Sequence, residues 1–599
     1  MAQKLRRHSV EMTTASASGH PTTCLSAAEI ISTIFFHEMR WDPKAPHARD
    51  VDTFVLSKGH AAPILWAALK EAGGIDEDLL SLRKFDSTLE GHPTPRNPWV
   101  RVATGSLGQG LSCAAGMALA RRQDGIPARI YCLLGDGESA EGSVWEAAQF
   151  ASYNQLDNLC ALVDVNALGQ SGGTMPLHNV DSYLAKFVSF GWHAIAVDGH
   201  NIDELIEAFE KAKNSPGKPT AIICKTEKGK GFSEVEGKSG WHGKPFKKDG
   251  TFEKALEEFG DTQITLEVPS QRIETEKIPE STFTLDDPAL APTYSPEDKV
   301  ATREGYGSAL VKLGKVSPEI MALDGDTKNS TFSEKFKNAH PDRFVECFIA
   351  EQNMAGVALG LAVEGKVPFA STFACFLSRA YDQIRMSVYS RPTHLIFNGS
   401  HVGVSIGGDG ASQMGLEDIA MFRALLGTTV LYPGDGVSAE RLTCAAALTP
   451  GIVYVRSSRP KTRILYKNEE MFPIGGSKTW GDGTDATIVA AGVTLHEALA
   501  AQNILKKEDI HVRVIDAYSV KPIDEETLKK ASEETRTVIT VEDHSAHGGL
   551  GEAVASVIGP VQMLAVRDIP RSGEPDELLE KYGINSRAIM AAVRERIGK

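Results

Sequence analysis

Short apolar runs alternate with helical patterns along most of the chain, a rhythm typical of parallel sheets covered by helices. Between residues 100 and 230, buried strands are predicted at 130–134, 159–165, 194–197 and 221–224. The rhythm returns with predicted strands at 320–323, 344–350, 394–397, 428–431 and 452–455, and again at 486–491, 511–515 and 537–541. A helical pattern runs from Ala588 to the end. The pattern predicts an α/β fold of three domains, each with a mostly parallel sheet flanked by helices.

Two breaks in this pattern separate the predicted domains. From residue 263 the sequence becomes polar and carries prolines at 269, 279, 288, 292 and 296, as an interdomain linker does. The alternation of apolar runs and helical patterns is interrupted a second time in the segment GGSKTWGDGTD, close after Phe472. We therefore expect domains at 1–262, 299–471 and 472–599, with a linker at 263–298.

Composition narrows the range of partners and compartments. The 63 Lys and Arg against 78 Asp and Glu give a net charge of −15, which argues against a nucleic-acid-coating protein because such proteins need a basic field. The 8 cysteines lack paired spacing and are expected to be free thiols in a reducing compartment. No run approaches a membrane span and the first residues have no apolar signal core, so we predict a cytoplasmic protein without a membrane partner.

Gly-Asp-Gly triplets occur around Asp136, Asp409, Asp435 and Asp482, and any one of them alone is typical of a turn. Only the first follows a clear apolar run, RIYCLL, and only it is followed about thirty residues later by an Asn, Asn166, which closes the run LCALVDVN. Because the carboxyl ends of neighbouring parallel strands meet at one sheet edge, these two side chains are expected to lie together. Their oxygens, completed by diphosphate oxygens, suit Mg²⁺.

Five of the 17 histidines share a glycine-rich, turn-like context in which a side chain can face a cleft. They are His20 in SGHPTT, His60 in LSKGHAAP, His92 in EGHPTP, His242 in SGWHGKP and His401 in GSHVGVS. Most of the other histidines are expected to be surface residues or hydrogen-bonded core residues, as single histidines usually are.

Together with the first triplet and TGSLGQG at 104–110, these segments resemble the transketolase family, in its animal-type branch. The resemblance runs over nearly the whole chain and rests on the order and number of motifs. They include ALDGDTKNSTFSE, FIAEQNM, STFACFLSRAYDQIRM, SIGGDGASQM, RSSRP and TVEDH. It implies a diphosphate-binding domain, a pyrimidine-binding domain and a C-terminal transketolase domain, in that order.

The resemblance also implies a reaction and an assembly. A thiamine diphosphate enzyme would move a two-carbon ketol unit reversibly from a ketose phosphate such as xylulose 5-phosphate to an aldose phosphate such as ribose 5-phosphate or erythrose 4-phosphate, in the pentose phosphate pathway. The cofactor would be held through Mg²⁺, with Ca²⁺ or another divalent ion as alternatives. The enzyme would be a homodimer with its active sites at the subunit interface.

Carried over residue by residue, the resemblance assigns a cofactor site. Asp136, Asn166 and the carbonyl of Leu168 would bind the metal. The residues implied around the cofactor are Thr23, His60, Gly105, Ser106, Leu107, Gly137, Asn166, Lys228, His242, Glu351, Phe376 and Gln413. Within this set Glu351 matches the carboxyl that hydrogen-bonds the aminopyrimidine, and Phe376 matches the aromatic ring that stacks on it.

The same resemblance assigns substrate and catalytic residues. The implied substrate-binding set is His20, His92, His242, Arg303, Ser330, His401, Asp409 and Arg459. The arginines would bind the phosphate, since a guanidinium group can donate two parallel hydrogen bonds to phosphate oxygens. Asp409 would bind a sugar hydroxyl. Glu351, His242, His20 and His60 are the implied catalytic residues. The arginines supply the local positive charge that an acidic chain needs for an anionic substrate.

Three alternatives remain beside this interpretation. A deoxyxylulose-phosphate synthase would share cofactor and fold class, although SGWHGKP and SIGGDGASQM favour transketolase. The second is a catalytically silent family member. The presence of Asp136 and Asn166, of Glu351 and of the histidines argues against it. A nicotinamide oxidoreductase is the third, but no GxGxxG follows a strand and opens a helix. Two departures from the animal-type pattern are Thr23, where Ser is common, and the short segment before SGHPT.

Overall fold

The computed structural model describes residues 1–260, 262–274 and 283–599. These residues form two compact units. The first consists of the described residues within 1–274 together with 359–364 and 389–391, and the second of 283–358, 365–388 and 392–599. The predicted linker, 263–298, lies partly outside the described residues.

The first unit is built on a five-stranded parallel sheet in the order β1-β2-β3-β5-β4. Its strands are β1 (Thr53–Leu56), β2 (Ile130–Gly135), β3 (Leu159–Val165), β4 (His193–Asp198) and β5 (Thr220–Lys225). Every residue of β2 and β3 is buried, which agrees with the continuous apolar runs because helices cover both faces of a parallel sheet. The four strands predicted here are confirmed, and β1 was not predicted.

Helices surround this sheet. They are Ala2–Ala15, Pro21–Ser26, Ala28–Thr33, the π-helix Ile34–Glu38, Ala62–Glu71, Gly110–Gln123, Gly142–Tyr153, Val180–Ser189, Ile202–Lys213 and Thr251–Phe259, with single 3₁₀ turns at Gly59–Ala61, Leu79–Ser81 and Glu138–Ala140. Several begin at an Asn or Asp whose side chain caps free backbone N–H groups, as Asn201 does for Asp203 and Glu204. One large apolar cluster, which includes Ile31, Trp66 and Leu133, fills the interior.

The second unit contains two main sheets. The strands, in chain order, are β6 (Lys299–Ala301), β7 (Ile320–Asp324), β8 (Phe344–Glu346), β9 (Val367–Phe373), β10 (His394–Ser400), β11 (Thr428–Leu431), β12 (Gly451–Arg456), β13 (Lys461–Arg463), β14 (Lys478–Trp480), β15 (Ala486–Ala490), β16 (Val512–Asp516), β17 (Ser519–Lys521), β18 (Val538–Ser545) and β19 (Gln562–Val566). One sheet has the order β17-β11-β12-β10-β9-β7-β8 and the other β14-β16-β15-β18-β19. Only the edge strands β17 and β14 are antiparallel to their neighbours in these two sheets.

The helices after residue 300 are Thr302–Val316, Lys328–Thr331, Glu334–Ala339, Glu351–Val363, Tyr381–Ser390, Asp418–Ala424, Gly436–Leu448, Val493–Leu505, Glu525–Glu534, Leu550–Ile558, Pro575–Lys581 and Ser586–Ile597. Single 3₁₀ turns are Pro288–Leu290, Pro341–Arg343, Phe376–Ala380, Val404–Ile406, Ala411–Gln413 and Lys506–Glu508. The predicted C-terminal helix is confirmed. The three predicted α/β regions each contain a mostly parallel sheet, as expected, and the last two share one compact unit.

One predicted strand is wrong in its extent. The apolar run 344–350 forms a strand only as far as Glu346, and Glu351 is the first residue of the helix Glu351–Val363. The apolar pattern did not separate the strand from the loop that follows, in which Phe348 has a φ of 56° and leaves the extended conformation. Glu351 therefore lies at a helix start rather than at a strand end.

Candidate active site

In the first unit, a cavity of about 370 Å³ opens where β2 and β3 end. It lies at the carboxyl edge of the sheet, where α/β folds place their ligands. Most of the residues expected in the cofactor and histidine sets line it: His20, Thr23, His60, His92, Gly105, Leu107, Asp136, Gly137, Asn166, Leu168, Lys228 and His242. The structure thus brings together residues from widely separated sequence segments.

Asp136 lies at the turn after β2 and is almost completely buried. Its Oδ2 accepts hydrogen bonds from the backbone N–H of Ala167 at 2.6 Å and from the hydroxyl of Thr174 at 3.2 Å. Burial raises the pKa of this carboxyl, and the nearby charge of Asp164 raises it further. A carboxylate in such a place is stabilised by a cation.

The two other oxygens expected at the metal lie in the same cavity. The side-chain oxygen of Asn166 accepts from the N–H of Leu168 at 3.2 Å, and the carbonyl of Leu168 accepts from Nζ of Lys228 at 2.5 Å. Carboxylate, amide and carbonyl oxygens are the donors that Mg²⁺ prefers. In the part of the chain that the structure describes, no three His, Cys, Asp or Glu side chains group to hold a metal.

A buried ion pair beneath the cavity was not predicted from the sequence. Nζ of Lys58 contacts Oδ2 of Asp164, and both side chains are 1% exposed or less. The same oxygen accepts from the amide of Asn166 at 3.1 Å and from the hydroxyl of Ser26 at 2.7 Å, while Thr226 donates to Oδ1. Burial alone would raise the pKa of Asp164, but the charge and hydrogen bond of Lys58, together with the hydroxyls of Thr226 and Ser26, lower the pKa overall. Asp164 therefore stays ionised and fixes the Asn166 amide so that its oxygen remains available.

We expect Asp164→Asn to weaken binding of thiamine diphosphate with Mg²⁺ by about 10–100-fold, because partners that orient a metal ligand have effects of that size. The substitution also leaves Lys58 buried without its counter-charge, which lowers thermal stability. Calorimetric titration and thermal unfolding measure the two effects separately.

The double variant Lys58→Met with Asp164→Asn is the matched control, because it removes the unpaired ammonium. We expect it to regain stability without regaining cofactor affinity. Full affinity in the single variant would contradict the orienting role of Asp164.

Four imidazoles meet in this cavity. The ring centre of His20 lies 5.3 Å from that of His60, 6.2 Å from His92 and 4.9 Å from His242. Burial is the main cause that lowers the pKa of His20 to about 4 and that of His242 to about 3, and the charge of Lys228 adds to both. The pKa values of His60 and His92 are lowered as well, again mainly by burial. The rings are therefore neutral at pH 7 and can both donate and accept hydrogen bonds.

Two further features fit an anionic ligand in the cavity. The pKa of Lys228 falls to about 8, first through burial and then through the neighbouring charge of Lys58, so an anion here would relieve repulsion between cations. Nδ1 of His20 is buried and has no hydrogen-bond partner among the described residues. The site thus offers positive charge and an unused polar atom.

The loop at 104–110 depends on glycine. Gly105 has a φ of 124°, and a Cβ there would stand 2.7 Å from the ring of His92. The backbone can come this close to the histidine only without a side chain. Ser106 lies between Gly105 and the cavity-lining Leu107 in the same loop.

In the second unit, the residues expected to bind the sugar phosphate form another group. Arg303 donates from Nη1 to the carbonyl of Ser330 at 2.8 Å and contacts Nε2 of His401 at 3.4 Å. Arg459 donates to Oδ2 of Asp409 at 2.6 Å. The five residues come from different elements, including the first turn of Thr302–Val316 and the segments after β10 and β12.

The electrostatics of this group suit a phosphate. Burial lowers the pKa of Arg303, and repulsion from Arg459 lowers it further. Burial and then these two arginines lower the pKa of His401 to about 3, so its ring is neutral at pH 7. Nε of Arg303 is buried and without a hydrogen-bond partner in the described part of the chain. A doubly charged anion would relieve the repulsion between the two guanidinium groups.

The remaining predicted residues lie on the second unit as well. Glu351 is buried, and its Oε2 accepts from Nη1 of the half-exposed Arg379 at 2.6 Å. Phe376 stacks on Phe373 with ring centres 5.3 Å apart, and Phe373 stacks on His401 at 3.8 Å. The sequence did not predict Arg379 or Phe373, although both belong to the motif STFACFLSRAYDQIRM.

Gln413, expected near the pyrimidine, ends the turn Ala411–Gln413. Its side chain contacts the hydroxyl of Ser412 at 3.5 Å. Its place beside the cofactor ring stays a prediction.

Comparison with known proteins identifies the family of the chain. Three family models match: the transketolase thiamine diphosphate binding domain over residues 1–281, the transketolase pyrimidine binding domain over 298–464 and the transketolase C-terminal domain over 475–589. The first of these models places the chain in the class of thiamine diphosphate-binding proteins. The chain is 51% identical over 612 residues to the Homo sapiens transketolase, covering 100% of this chain and 97% of the relative. It belongs to the transketolase family.

Solved structures show the same fold. Transketolase from Campylobacter jejuni superposes with a TM-score of 0.86 at 25% identity, covering 99% of this chain and 98% of the other. Transketolase from Pichia stipitis in complex with sedoheptulose 7-phosphate gives a TM-score of 0.85 at 23% identity, covering 100% of this chain and 97% of the other. Among the described residues, no helix has the length and apolar character that crossing a membrane requires.

Proposed function

We propose that the protein is a transketolase that transfers a two-carbon ketol unit reversibly between sugar phosphates. The donor would be a ketose phosphate such as xylulose 5-phosphate, and the acceptor an aldose phosphate such as ribose 5-phosphate or erythrose 4-phosphate. This is a step of the pentose phosphate pathway, and we propose a cytoplasmic location, in keeping with eight cysteines that are all free. The observation that carries the proposal is the cavity in which the Asp136 oxygens and four neutral imidazoles lie together.

The cavity fits thiamine diphosphate held through Mg²⁺. Asp136, Asn166 and the Leu168 carbonyl would hold the metal, and Lys228 would neutralise a further diphosphate charge. When bound, thiamine diphosphate supplies the electron sink that lets the carbon–carbon bond of the ketose break and re-form. The remaining work of the protein is to bind, orient and exchange protons.

The histidines are suited to moving protons on sugar hydroxyls. A ketose must lose a hydroxyl proton when its carbon–carbon bond breaks, and the acceptor aldehyde must gain one. Neutral imidazoles of His20, His60 and His242 can accept and return that proton at ring nitrogens. His92, on the same cavity wall, would hydrogen-bond the substrate. Glu351 would hydrogen-bond the aminopyrimidine, and Phe376 would stack on that ring.

The Arg303 group would bind the substrate phosphate. Its two guanidinium groups and the neutral ring of His401 provide donors, and Ser330 lies against Arg303. Asp409, held by Arg459, would accept a hydrogen bond from a sugar hydroxyl. The transketolase in complex with sedoheptulose 7-phosphate supports sugar phosphates as the substrate class for this fold.

We further propose a homodimer in which the first domain of one subunit and the second domain of its partner share each active site. Each domain described above holds only part of the groups that the reaction needs: the metal oxygens and four imidazoles in one, Glu351 and the phosphate-binding arginines in the other. A symmetric dimer can complete two sites at once.

Turnover of xylulose 5-phosphate with ribose 5-phosphate, with and without thiamine diphosphate and Mg²⁺, tests the reaction. Product formation that requires both additions is expected. Turnover of pyruvate with glyceraldehyde 3-phosphate instead would favour the synthase. Tight cofactor binding without any turnover would favour a catalytically silent member.

We expect Arg459→Ala to raise KM for phosphorylated sugars by about tenfold or more with little change in kcat, because losing a charged hydrogen bond costs about 1.5–3 kcal/mol. The phosphate lies away from the reacting carbon, so its binding is nearly equal in ground and transition states. Steady-state kinetics with xylulose 5-phosphate and with unphosphorylated erythrulose measure the difference. Equal losses for both donors would contradict the phosphate role.

A further inference from the structure

The segment 401–415, here called the substrate loop, carries His401 and Asp409, belongs to the pyrimidine binding domain and packs against the C-terminal domain. It begins directly after β10, and its apolar side chains Val404, Ile406 and Met414 belong to the same buried cluster as residues of the β15 sheet. The helix Pro575–Lys581 contributes Leu578 and Leu579 to this cluster. The apolar side chains of the loop therefore pack into the core of the C-terminal domain.

A single buried carboxylate fixes the backbone of this loop. Asp543 lies on β18 and is completely buried. Its Oδ1 accepts from the N–H of Val404 at 2.7 Å, and its Oδ2 accepts from the N–H of Ser405 at 3.1 Å. A Cβ on Gly403 would stand 2.1 Å from this carboxylate, and Gly403 has a φ of 72°, so the close approach requires glycine.

The other end of the loop is tied to the same strand. Nη2 of Arg456 donates to the carbonyls of Gly415 and Asp543, both at 3.0 Å. The N–H of Gly403 donates to the carbonyl of Gly415 at 2.8 Å, which closes the loop at its base. The loop thus has two fixed points on β18: the carboxylate of Asp543 binds two loop N–H groups, and the backbone carbonyl of Asp543 is linked to Gly415 through Arg456.

The loop in turn holds the substrate residues. His401 lies two residues before Gly403 and has a strained φ of 59°. Arg459 donates from Nη1 to the carbonyl of Ile406 at 3.0 Å as well as to Asp409. A shift of Val404 and Ser405 would therefore move His401, Asp409 and one anchor of Arg459 together.

We propose that Asp543 of the C-terminal domain is a positioning residue for the sugar-phosphate site, acting through the substrate loop. The proposal rests on the proposed function of that site, and it gives the C-terminal domain a part in substrate binding. Asp543 does not act on the reacting atoms, because its carboxylate is used by the two backbone N–H groups.

The test compares Asp543→Asn with Glu542→Gln in the full-length holoenzyme. Glu542 is the neighbouring residue on β18 and equally buried, but its carboxylate accepts from the N–H groups of Leu550 and Gly551 at the start of another helix. The asparagine keeps the shape of Asp543 and turns an N–H toward one of the two loop donors. The control removes a comparable interaction away from the loop.

For Asp543→Asn we expect KM for xylulose 5-phosphate to rise by about tenfold with kcat changed less, since a charged hydrogen bond is lost. Hydrogen exchange of peptides spanning 401–415 should become faster in this variant. Glu542→Gln should change neither measurement. Unchanged KM and exchange in Asp543→Asn, or equal changes in both variants, would overturn the proposal.

Hydrogen exchange also separates this proposal from the assignment of the reaction. If the wild-type protein does not turn over sugar phosphates, the proposed function fails, and faster exchange of 401–415 in Asp543→Asn alone still supports the positioning role. If Asp543→Asn does not fold, Gly403→Ala disturbs the same contact from the loop side and is expected to give the same changes. Failure of both variants to fold would show that the contact serves folding, which overturns the proposal.

Discussion

Asp136→Ala is expected to abolish metal-dependent retention of thiamine diphosphate and, with it, all turnover. Removing one partner of a buried charge pair costs about 3–5 kcal/mol, which weakens cofactor binding by more than a hundredfold. The diphosphate charges would remain in a partly desolvated site without their bridging cation. Calorimetric titration of thiamine diphosphate in the presence of Mg²⁺ measures the loss directly.

Two further variants test whether cofactor binding needs the charge of Asp136 and whether it needs this Gly-Asp-Gly triplet rather than another one. Asp136→Asn keeps the shape of the side chain and its acceptor for the N–H of Ala167, and we expect it to lose most of the affinity because the charge is gone. Asp482→Ala changes an exposed Gly-Asp-Gly triplet elsewhere in the chain and should bind the cofactor normally. Wild-type affinity in Asp136→Ala would refute the choice of this triplet.

Co-expression of Asp136→Ala and Glu351→Ala is expected to restore about a quarter of wild-type activity, although each variant alone is inactive. If each active site takes Asp136 from one subunit and Glu351 from the other, a mixed dimer has one site with both lesions and one with neither. With random pairing about half the dimers are mixed, and half their sites are intact. The quarter refers to the specific activity of the whole co-expressed population, and mixed dimers purified through two different tags should have about half of wild-type activity.

The matched control pairs two lesions on the same domain. Mixed dimers of Asp136→Ala with Asn166→Ala carry one lesion in every site, so no recovery is expected. If separately tagged Asp136→Ala and Glu351→Ala dimers are also inactive, both residues of a site come from one chain. That result would refute the shared site and leave the reaction unaffected.

Local sequence determined much of the fold. The continuous apolar runs of β2 and β3 predict strands buried on both faces, and the structure has them within one residue of the predicted bounds. Asp435 shows the limit of a short motif: its Gly-Asp-Gly triplet caps the helix Gly436–Leu448, with Oδ1 accepting from the N–H of Ser438 at 2.8 Å. The preceding strand and the following Asn, not the triplet itself, distinguished Asp136 from it.

The resemblance to the family, more than local pattern, identified the residues of the site. Single arginines and histidines are most often surface residues. The sequence around Arg303 and the sequence around His401 do not predict that the two side chains contact each other. Local pattern also failed at Glu351, where an apolar run continued past the strand into a loop.

Only the tertiary structure decided which buried charges support the site. The pairing of Lys58 with Asp164 joins residues 106 positions apart, and Asp543 reaches loop residues 139 and 138 positions away. Sequence periodicity reports which face of an element is buried, because burial follows the repeat of the backbone. It does not report which distant polar groups meet there, since that depends on the order in which strands join each sheet and on the loops between them. The orientation of Asn166 and the anchoring of the substrate loop are therefore properties of the folded chain.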